Sequence, residues 1–256
     1  MTLYPVKNFV LITAEANGQS VSDINKRAEG QKALMELSQY NIEKAQNNLK
    51  TASDKRSSSS VPTKAEIEIV LKQLSKGETS YRKVLKNVYI VGDSLMNGLE
   101  AYNILNSNHL ITQVSASLYH LSGNVNRIIK LKPPVLILHY GVNMISTSKK
   151  QLNNFTGMYT RLVKQIQKGS PDTRIIISGL FPVDRDVARA KRFSKIDAYN
   201  EALQKMCKNL DVEFMDSSSV LKEHPECYGG DGIHLSKAFY EKYWLRFVIK
   251  EMEILG

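Results

Sequence analysis

From residue 84 onward, short apolar runs alternate with longer amphipathic segments. The apolar runs predict five strands, at residues 86–91, 110–116, 135–140, 174–179 and 212–216. The segments between and after them predict helices at residues 95–105, 122–131, 149–168, 194–209 and 236–255. Strands that alternate with helices in this way predict an α/β fold, with three α/β/α layers around one five-stranded parallel sheet.

Residues 1–80 follow a different pattern and are predicted to form a helical N-terminal appendage and linker, ahead of an α/β domain at 81–256. The segment 31–50 contains neither Gly nor Pro and carries apolar residues near heptad spacing. Thr63 and Glu66 form a capping-box pattern that begins a second helix. A packing appendage and a helical association arm both stay open, because the heptad pattern lasts little more than two repeats.

The net charge of the sequence predicts a basic surface. The 256 residues carry a net charge of +10, of which residues 81–256 hold +8. A basic surface favours acidic partners such as nucleic acid, an anionic membrane or an anionic polymer. Nucleic acid is not expected, because the chain lacks the aromatic-rich basic strand face that binds single strands.

Three further classes of feature are not predicted. No apolar run approaches the roughly 18 residues that cross a bilayer, so this chain has no expected membrane span. Cys207 and Cys227 match no zinc spacing, and whether they pair stays open. No motif implies a metal or another cofactor.

Candidate chemistry follows the predicted strand ends. A Gly-Asp-Ser turn places Ser94 directly after the first strand, Asn143 follows the third strand, and Asp231 and His234 precede the last helix. The carboxyl ends of parallel strands share one rim of a sheet, so these side chains are expected to converge there.

Such a set suits acyl transfer by serine. A hydroxyl needs a neighbouring base to become a nucleophile, which His234 can supply to Ser94. Asp231, three residues before the histidine, can fix the imidazole tautomer. The backbone N–H of Ser94 and the side-chain amide of Asn143 can stabilise the oxyanion. A metal half-site at Asp231 and His234 is disfavoured, because the sequence offers no nearby His or Cys to complete it.

These motifs resemble blocks of the SGNH, or GDSL, hydrolase family. Residues 92–95 are similar to the block with the nucleophile, 141–143 to the block with the oxyanion asparagine, and 231–235 to the block with the acid and base. The resemblance covers roughly residues 84–256 and implies a flavodoxin-like fold and a serine esterase or acyltransferase without a cofactor.

The sequence departs from the family at two blocks. The second block normally offers a glycine N–H to the oxyanion, and here Ser117 is the best match for that donor. The third block usually reads Gly-x-Asn-Asp, and here Met144 replaces the aspartate. Both departures resemble the SGNH domains of bacterial cell-wall O-acetyltransferases more than the lipase-like members.

A charge-rich loop follows the fourth strand. It is typical of a solvated surface, but it is also expected on the rim of the site, where Arg185 and Arg189 are candidates for binding an anionic substrate. His120, His139 and His224 receive no functional role, since a structural or solvent-facing position accounts for each.

The prediction is a serine esterase that removes O-acyl groups, chiefly O-acetyl, from carbohydrate or cell-wall polymer, or from another small ester, through an acyl-enzyme. An O-acetyltransferase with the same residues, a lipase or thioesterase, and a non-catalytic binder of acidic polymer are the alternatives. The resemblance implies an extracellular or cell-envelope location in a bacterium, with a cytoplasmic one as alternative. The oligomeric state stays open.

Overall fold

The computed structural model describes residues 61–188 and 190–255, with the backbone alone at Arg185. The helix predicted at 31–50 therefore lies outside the described residues. The domain division at residue 80 stays a prediction.

Five parallel strands form one sheet. They are β1 Val88–Gly92, β2 Leu110–Thr112, β3 Val135–His139, β4 Arg174–Ser178 and β5 Glu213–Met215. Their order across the sheet is β2-β1-β3-β4-β5, and every neighbouring pair is parallel. This order is that of flavodoxin-like folds, in which ligands bind where the strand order reverses. The predicted fold class is confirmed.

Helices cover both faces of the sheet. They are α1 Lys64–Lys76, α2 Tyr81–Val84, α3 Ser94–Ala101, α4 Leu118–Leu131, α5 Lys149–Gly169, α6 Arg185–Ala188, α7 Ile196–Leu210, α8 Ser218–Glu223 and α9 Leu245–Glu251. A π-helix, Phe239–Trp244, runs directly into α9. Helix α5 packs against α4 on one side and α7 on the other, while α1 packs on α9.

The core lies between the sheet and these helices. Ile90, Ile137 and Ile176, at the centres of β1, β3 and β4, are completely buried. Central strands covered on both faces read as continuous apolar runs, which is why their positions were predictable.

The structure corrects several predicted bounds. Strand β2 ends at Thr112 rather than at 116, because a turn with Ser115 in the left-handed region (φ 57°) redirects the chain. Helix α4 begins at Leu118, four residues before the predicted start, because Ser117 and His120 cap it. The last helix ends at Glu251 rather than at 255, and it contains a π-helical turn at Phe239–Trp244, which amphipathic periodicity does not reveal.

Helix α1 starts at the predicted capping box. The Thr63 hydroxyl accepts the Glu66 amide at 3.3 Å, and the Glu66 carboxylate accepts the Thr63 amide at 2.8 Å. Ile67 and Leu71 bury the apolar face of this helix. The capping box is therefore confirmed.

The structure also shows the state of the two cysteines and bears on the expected absence of a membrane span. Cys207 and Cys227 are free, buried thiols, and burial raises the pKa of Cys207 to about 12. In the described part of the chain, no helix combines the length and apolar character needed to cross a membrane.

Candidate active site

The nucleophile turn forms where β1 meets α3. Asp93 is the N-cap of α3, and its carboxylate accepts the Leu95 amide at 3.1 Å, as expected of a residue that orders the turn. A Cβ atom at Gly92 would lie 2.8 Å from the His139 carbonyl, so only glycine permits this approach of β1 to β3. Ser94 follows as the first helical residue, and its backbone N–H has no partner inside the helix.

Asp93 is completely buried, which the sequence did not reveal. Its Oδ2 atom makes no well-formed hydrogen bond to any residue that the structure describes. Burial is the largest influence and raises the pKa of Asp93 to about 7, against the opposing effect of the Leu95 amide. A buried carboxyl that titrates near neutrality therefore directly precedes Ser94.

A tight loop positions the proposed acid and base. Tyr228 and Leu235 form an isolated antiparallel bridge, and the Gly229 amide donates to the His234 carbonyl at 2.7 Å. Gly232 has a φ of +66°, and a Cβ atom there would lie 2.7 Å from Val187 Cγ2. Glycine is therefore required at this position for the loop to close against the α6 segment.

The three predicted catalytic side chains form one hydrogen-bonded chain. His234 Nε2 lies 3.0 Å from Ser94 Oγ, and His234 Nδ1 lies 2.5 Å from Asp231 Oδ2. Asp231 Oδ1 also accepts the backbone amides of Ile233 at 3.0 Å and His234 at 2.9 Å. The side chains of Asp231 and His234 are about half exposed, so solvent reaches the site.

The charge on Asp231 makes His234 Nε2 a suitable proton acceptor. The hydrogen bond from His234 is the largest influence and lowers the pKa of Asp231 to about 2. An ionised Asp231 favours the tautomer with its proton on Nδ1, which leaves Nε2 free to accept the Ser94 proton. Among the described residues, no three His, Cys, Asp or Glu side chains lie together as metal ligands.

Asn143 lies in the turn that follows β3. Gly141 begins this turn with a φ of +150°, and its Cα packs so close to Leu180 that a Cβ atom would lie 2.6 Å from Leu180 Cδ2. Asn143 Nδ2 donates to the Ala116 carbonyl at 2.9 Å, which ties the β3 turn to the loop after β2. Its second N–H has no partner in the described ranges and can serve an oxyanion.

The backbone N–H of Ser117, which was predicted to stabilise the oxyanion, already makes a hydrogen bond within the protein. Its backbone N–H donates to His120 Nδ1 at 3.0 Å, because both residues cap α4. To stabilise an oxyanion, this N–H would first have to leave the imidazole, so the predicted role of Ser117 stays a prediction. The role of His120 as a helix cap was missed, since it depends on where α4 begins.

Met144 also acts at the start of α4. Its sulfur accepts the Leu118 amide at 3.4 Å. The residue that replaces the usual aspartate of the third block therefore contacts the first residue of α4, while the neighbouring Asn143 contacts the loop before this helix.

The two arginine candidates cannot be placed at the site. Arg189 lies outside the described residues, and only the backbone of Arg185, at the start of α6, is described. The segment itself adjoins the catalytic loop, since the Asp184 amide donates to the Gly232 carbonyl at 2.8 Å. Substrate binding by Arg185 and Arg189 stays a prediction.

Two tyrosines that were not predicted from the sequence donate hydrogen bonds to the backbone beside the catalytic residues. The Tyr240 hydroxyl donates to the Leu95 carbonyl, and the Tyr102 hydroxyl donates to the Leu235 carbonyl at 3.2 Å. Gly98 makes room for Tyr240, because a Cβ atom there would lie 2.5 Å from the tyrosine oxygen. Each tyrosine thus bonds a residue next to Ser94 or His234.

With this geometry, residues 90–242 match the family model described as GDSL-like lipase/acylhydrolase, which covers more than half of the chain. The chain belongs to this family. As an SGNH hydrolase it is a serine hydrolase and an esterase, which confirms the predicted enzyme class. No curated protein matches the sequence.

Solved structures share the fold at low sequence identity. A GDSL-like lipase from Bacteroides thetaiotaomicron has a TM-score of 0.50 and 15% identity, over 75% of this chain and 98% of that chain. A catalytic mutant of an acetylxylan esterase from Geobacillus stearothermophilus has a TM-score of 0.50 and 13% identity, over 64% of this chain and 93% of that chain. At these identities the similarity shows the fold alone.

Proposed function

We propose that this SGNH hydrolase is a carbohydrate O-acetyl esterase that works through an acyl-enzyme at Ser94. The observation that carries the proposal is the hydrogen-bonded chain from Ser94 Oγ through His234 to Asp231, with separations of 3.0 and 2.5 Å. A hydroxyl, an imidazole and a carboxylate in this order form the apparatus of nucleophilic serine catalysis.

In the first half-reaction, Ser94 Oγ attacks the ester carbonyl carbon while its proton moves to His234 Nε2. The backbone N–H of Ser94 and the free N–H of Asn143 stabilise the oxyanion that forms. The tetrahedral intermediate then collapses, the bond to the sugar oxygen breaks, and His234 returns the proton to the leaving hydroxyl. An acetyl-serine and a deacetylated sugar result.

Water completes the cycle. It attacks the acetyl carbonyl while His234 takes one proton from it, and collapse returns that proton to Ser94 Oγ and releases acetic acid, which ionises to acetate in solution. Water has access, because the Asp231 and His234 side chains are about half exposed. A sugar hydroxyl in place of water would make the same site an acetyltransferase.

The choice of acetylated carbohydrate as substrate has two supports. Met144 and the glycine-free second block resemble the SGNH domains of cell-wall O-acetyltransferases more than lipase-like members. The shared fold with an acetylxylan esterase is compatible with the same class of substrate.

The test compares hydrolysis of p-nitrophenyl acetate and of an acetylated xylooligosaccharide by the wild type, Ser94→Ala and His234→Ala. Both variants are expected to lose about 10³-fold or more in kcat. Ser122→Ala, which removes an exposed hydroxyl on α4, is the matched control and should retain full activity. Wild-type rates in Ser94→Ala would refute the proposal.

A series of acyl chain lengths tests the substrate class separately. We expect acetate to be cleaved at least about tenfold faster than octanoate in kcat/KM, since each methylene alters recognition measurably. Faster cleavage of octanoate would replace the acetyl esterase by a lipase-like enzyme. Appearance of acetylated sugar when an acceptor glycan is added would identify a transferase.

A further inference from the structure

One cavity, which we call the basic pocket, is lined by none of the catalytic side chains. It has a volume of about 860 Å³ and lies between α1, α2, the segment after α3 and the π-helix with α9. Arg82, Lys242 and Arg246 contribute three cations to its lining, and Glu241 contributes the one carboxylate. Its size is within the range of about 300–1,000 Å³ that small-molecule sites occupy.

The cations of the basic pocket are not neutralised within the described ranges. Arg82, Lys242 and Arg246 form no ion pair with any carboxylate there, while Glu241 pairs with Lys237 at 3.4 Å. Clustered cations repel one another, and an anion that enters between them relieves that repulsion. The charge of the lining therefore favours an anionic ligand.

The two guanidinium groups are held in place by neutral oxygens. Arg82 Nη2 donates to the Asn103 carbonyl at 2.6 Å, and Arg246 Nη2 donates to the Leu71 carbonyl at 3.2 Å. A guanidinium carries five N–H donors, so both arginines keep donors for a ligand. Fixed forks of this kind suit the oxygens of carboxylate and phosphate.

Hydroxyl groups complete the lining. Ser75, Thr79, Ser80 and Tyr81 contribute them, and the Ser75 hydroxyl donates to the Leu71 carbonyl at 2.9 Å. Hydroxyls accept as well as donate, so they can pair with the hydroxyls of a sugar. Cations beside hydroxyls match a ligand that combines an acidic group with a carbohydrate ring.

We propose that the basic pocket binds an anionic sugar through a phosphate or carboxylate group. Arg82 and Arg246 hold the acidic group in forked hydrogen bonds, and Lys242 adds charge at the exposed edge. The proposal is independent of the reaction at Ser94, because no catalytic side chain lines this pocket.

Isothermal titration of the full chain with glucose 1-phosphate, glucuronate and glucose tests the proposal. At least one charged sugar is expected to bind at least about tenfold tighter than glucose and to weaken as salt is added. Binding of glucose 1-phosphate alone identifies a phosphate site, and binding of glucuronate alone a carboxylate site. Equal binding of charged and neutral sugars would overturn the proposal.

Three variants locate the binding. Arg82→Ala and Lys242→Glu are each expected to weaken it about tenfold or more, since hydrogen bonds to charged groups are among the stronger ones. Lys242 is exposed and makes no hydrogen bond in the described ranges, so Lys242→Glu should keep the wild-type Tm and esterase rate. Arg127→Ala, on α4, is the matched control. Wild-type affinity in both pocket variants would contradict the assignment even if the esterase proposal holds.

Discussion

At the scale of single residues, His234 connects the two halves of the proposed chemistry. One of its ring nitrogens faces Ser94 and the other faces Asp231. The spacing of Asp231 and His234 in one turn made their pairing predictable from the sequence. The burial of Asp93 was not predictable in this way, because it depends on β3 and on the turn that follows it.

Asp231→Asn should impair the reaction without unfolding the protein. An amide keeps the shape of the carboxylate but favours the wrong imidazole tautomer, and we expect kcat on p-nitrophenyl acetate to fall by about 10³–10⁴-fold. The Tm should change little, because the side chain is about half exposed. A kcat within threefold of the wild type would show that Asp231 does not orient His234.

Asp93 predicts a particular dependence of stability on pH. Burial raises its pKa from 3.8 to about 7, so the folded protein binds more protons than the unfolded chain between these values. The contribution of Asp93 to the free energy of unfolding therefore falls as the pH rises through this window. The fall is complete above about pH 7.

Thermal unfolding of Asp93→Asn measures this contribution. Asparagine also caps helices but carries no charge, so the variant should gain Tm relative to the wild type as the pH is raised from 4 to 8. Asp216→Asn, whose exposed carboxylate accepts the Ser218 amide in a similar local bond, is the matched control. A Tm difference for Asp93→Asn that is constant with pH would contradict the raised pKa.

At the scale of elements, the loop between Tyr228 and Leu235 positions the base. Gly232→Ala places a methyl group 2.7 Å from Val187 Cγ2 in a left-handed backbone conformation. We expect a loss of roughly 1–2 kcal/mol in the free energy of unfolding. The kcat should fall by about 10²-fold if His234 shifts by about 1 Å.

Gly230→Ala is the control for this loop, because a Cβ atom at Gly230 would meet nothing within 4 Å. Its kcat and denaturant midpoint should stay near the wild-type values. Equal effects of the two substitutions would mean that the contact with Val187 does not hold the loop.

Strand β3 and helix α4 differ in how well the sequence pattern predicted their bounds. Strand β3 was predictable, because burial on both faces leaves an apolar run from Val135. The early start of α4 was not, because His120 caps the helix through its ring nitrogen, which is not the usual carboxylate or amide of a capping box. That one unpredicted cap also occupies the Ser117 N–H that the sequence analysis assigned to the oxyanion.

At the scale of the whole molecule, the sheet order brings distant residues to one rim. Strands β1 and β3 are neighbours, so Ser94 and Asn143 follow adjacent strand ends. The alternation of strands and helices predicted this rim. The net charge of the sequence predicted a basic molecule. It could not predict that three cations line one pocket, since Arg82 is far from Lys242 and Arg246 along the chain.

Rapid-quench mass spectrometry of the enzyme during turnover of p-nitrophenyl acetate can detect the proposed acetyl-serine itself. We expect one acetyl group on the peptide that contains Ser94, formed in the first turnover and absent in Ser94→Ala. Slower loss of that acetyl group in His234→Ala would agree with general-base attack by water. Turnover with no acetylated peptide, or with the acetyl group on another residue, would contradict the acyl-enzyme at Ser94.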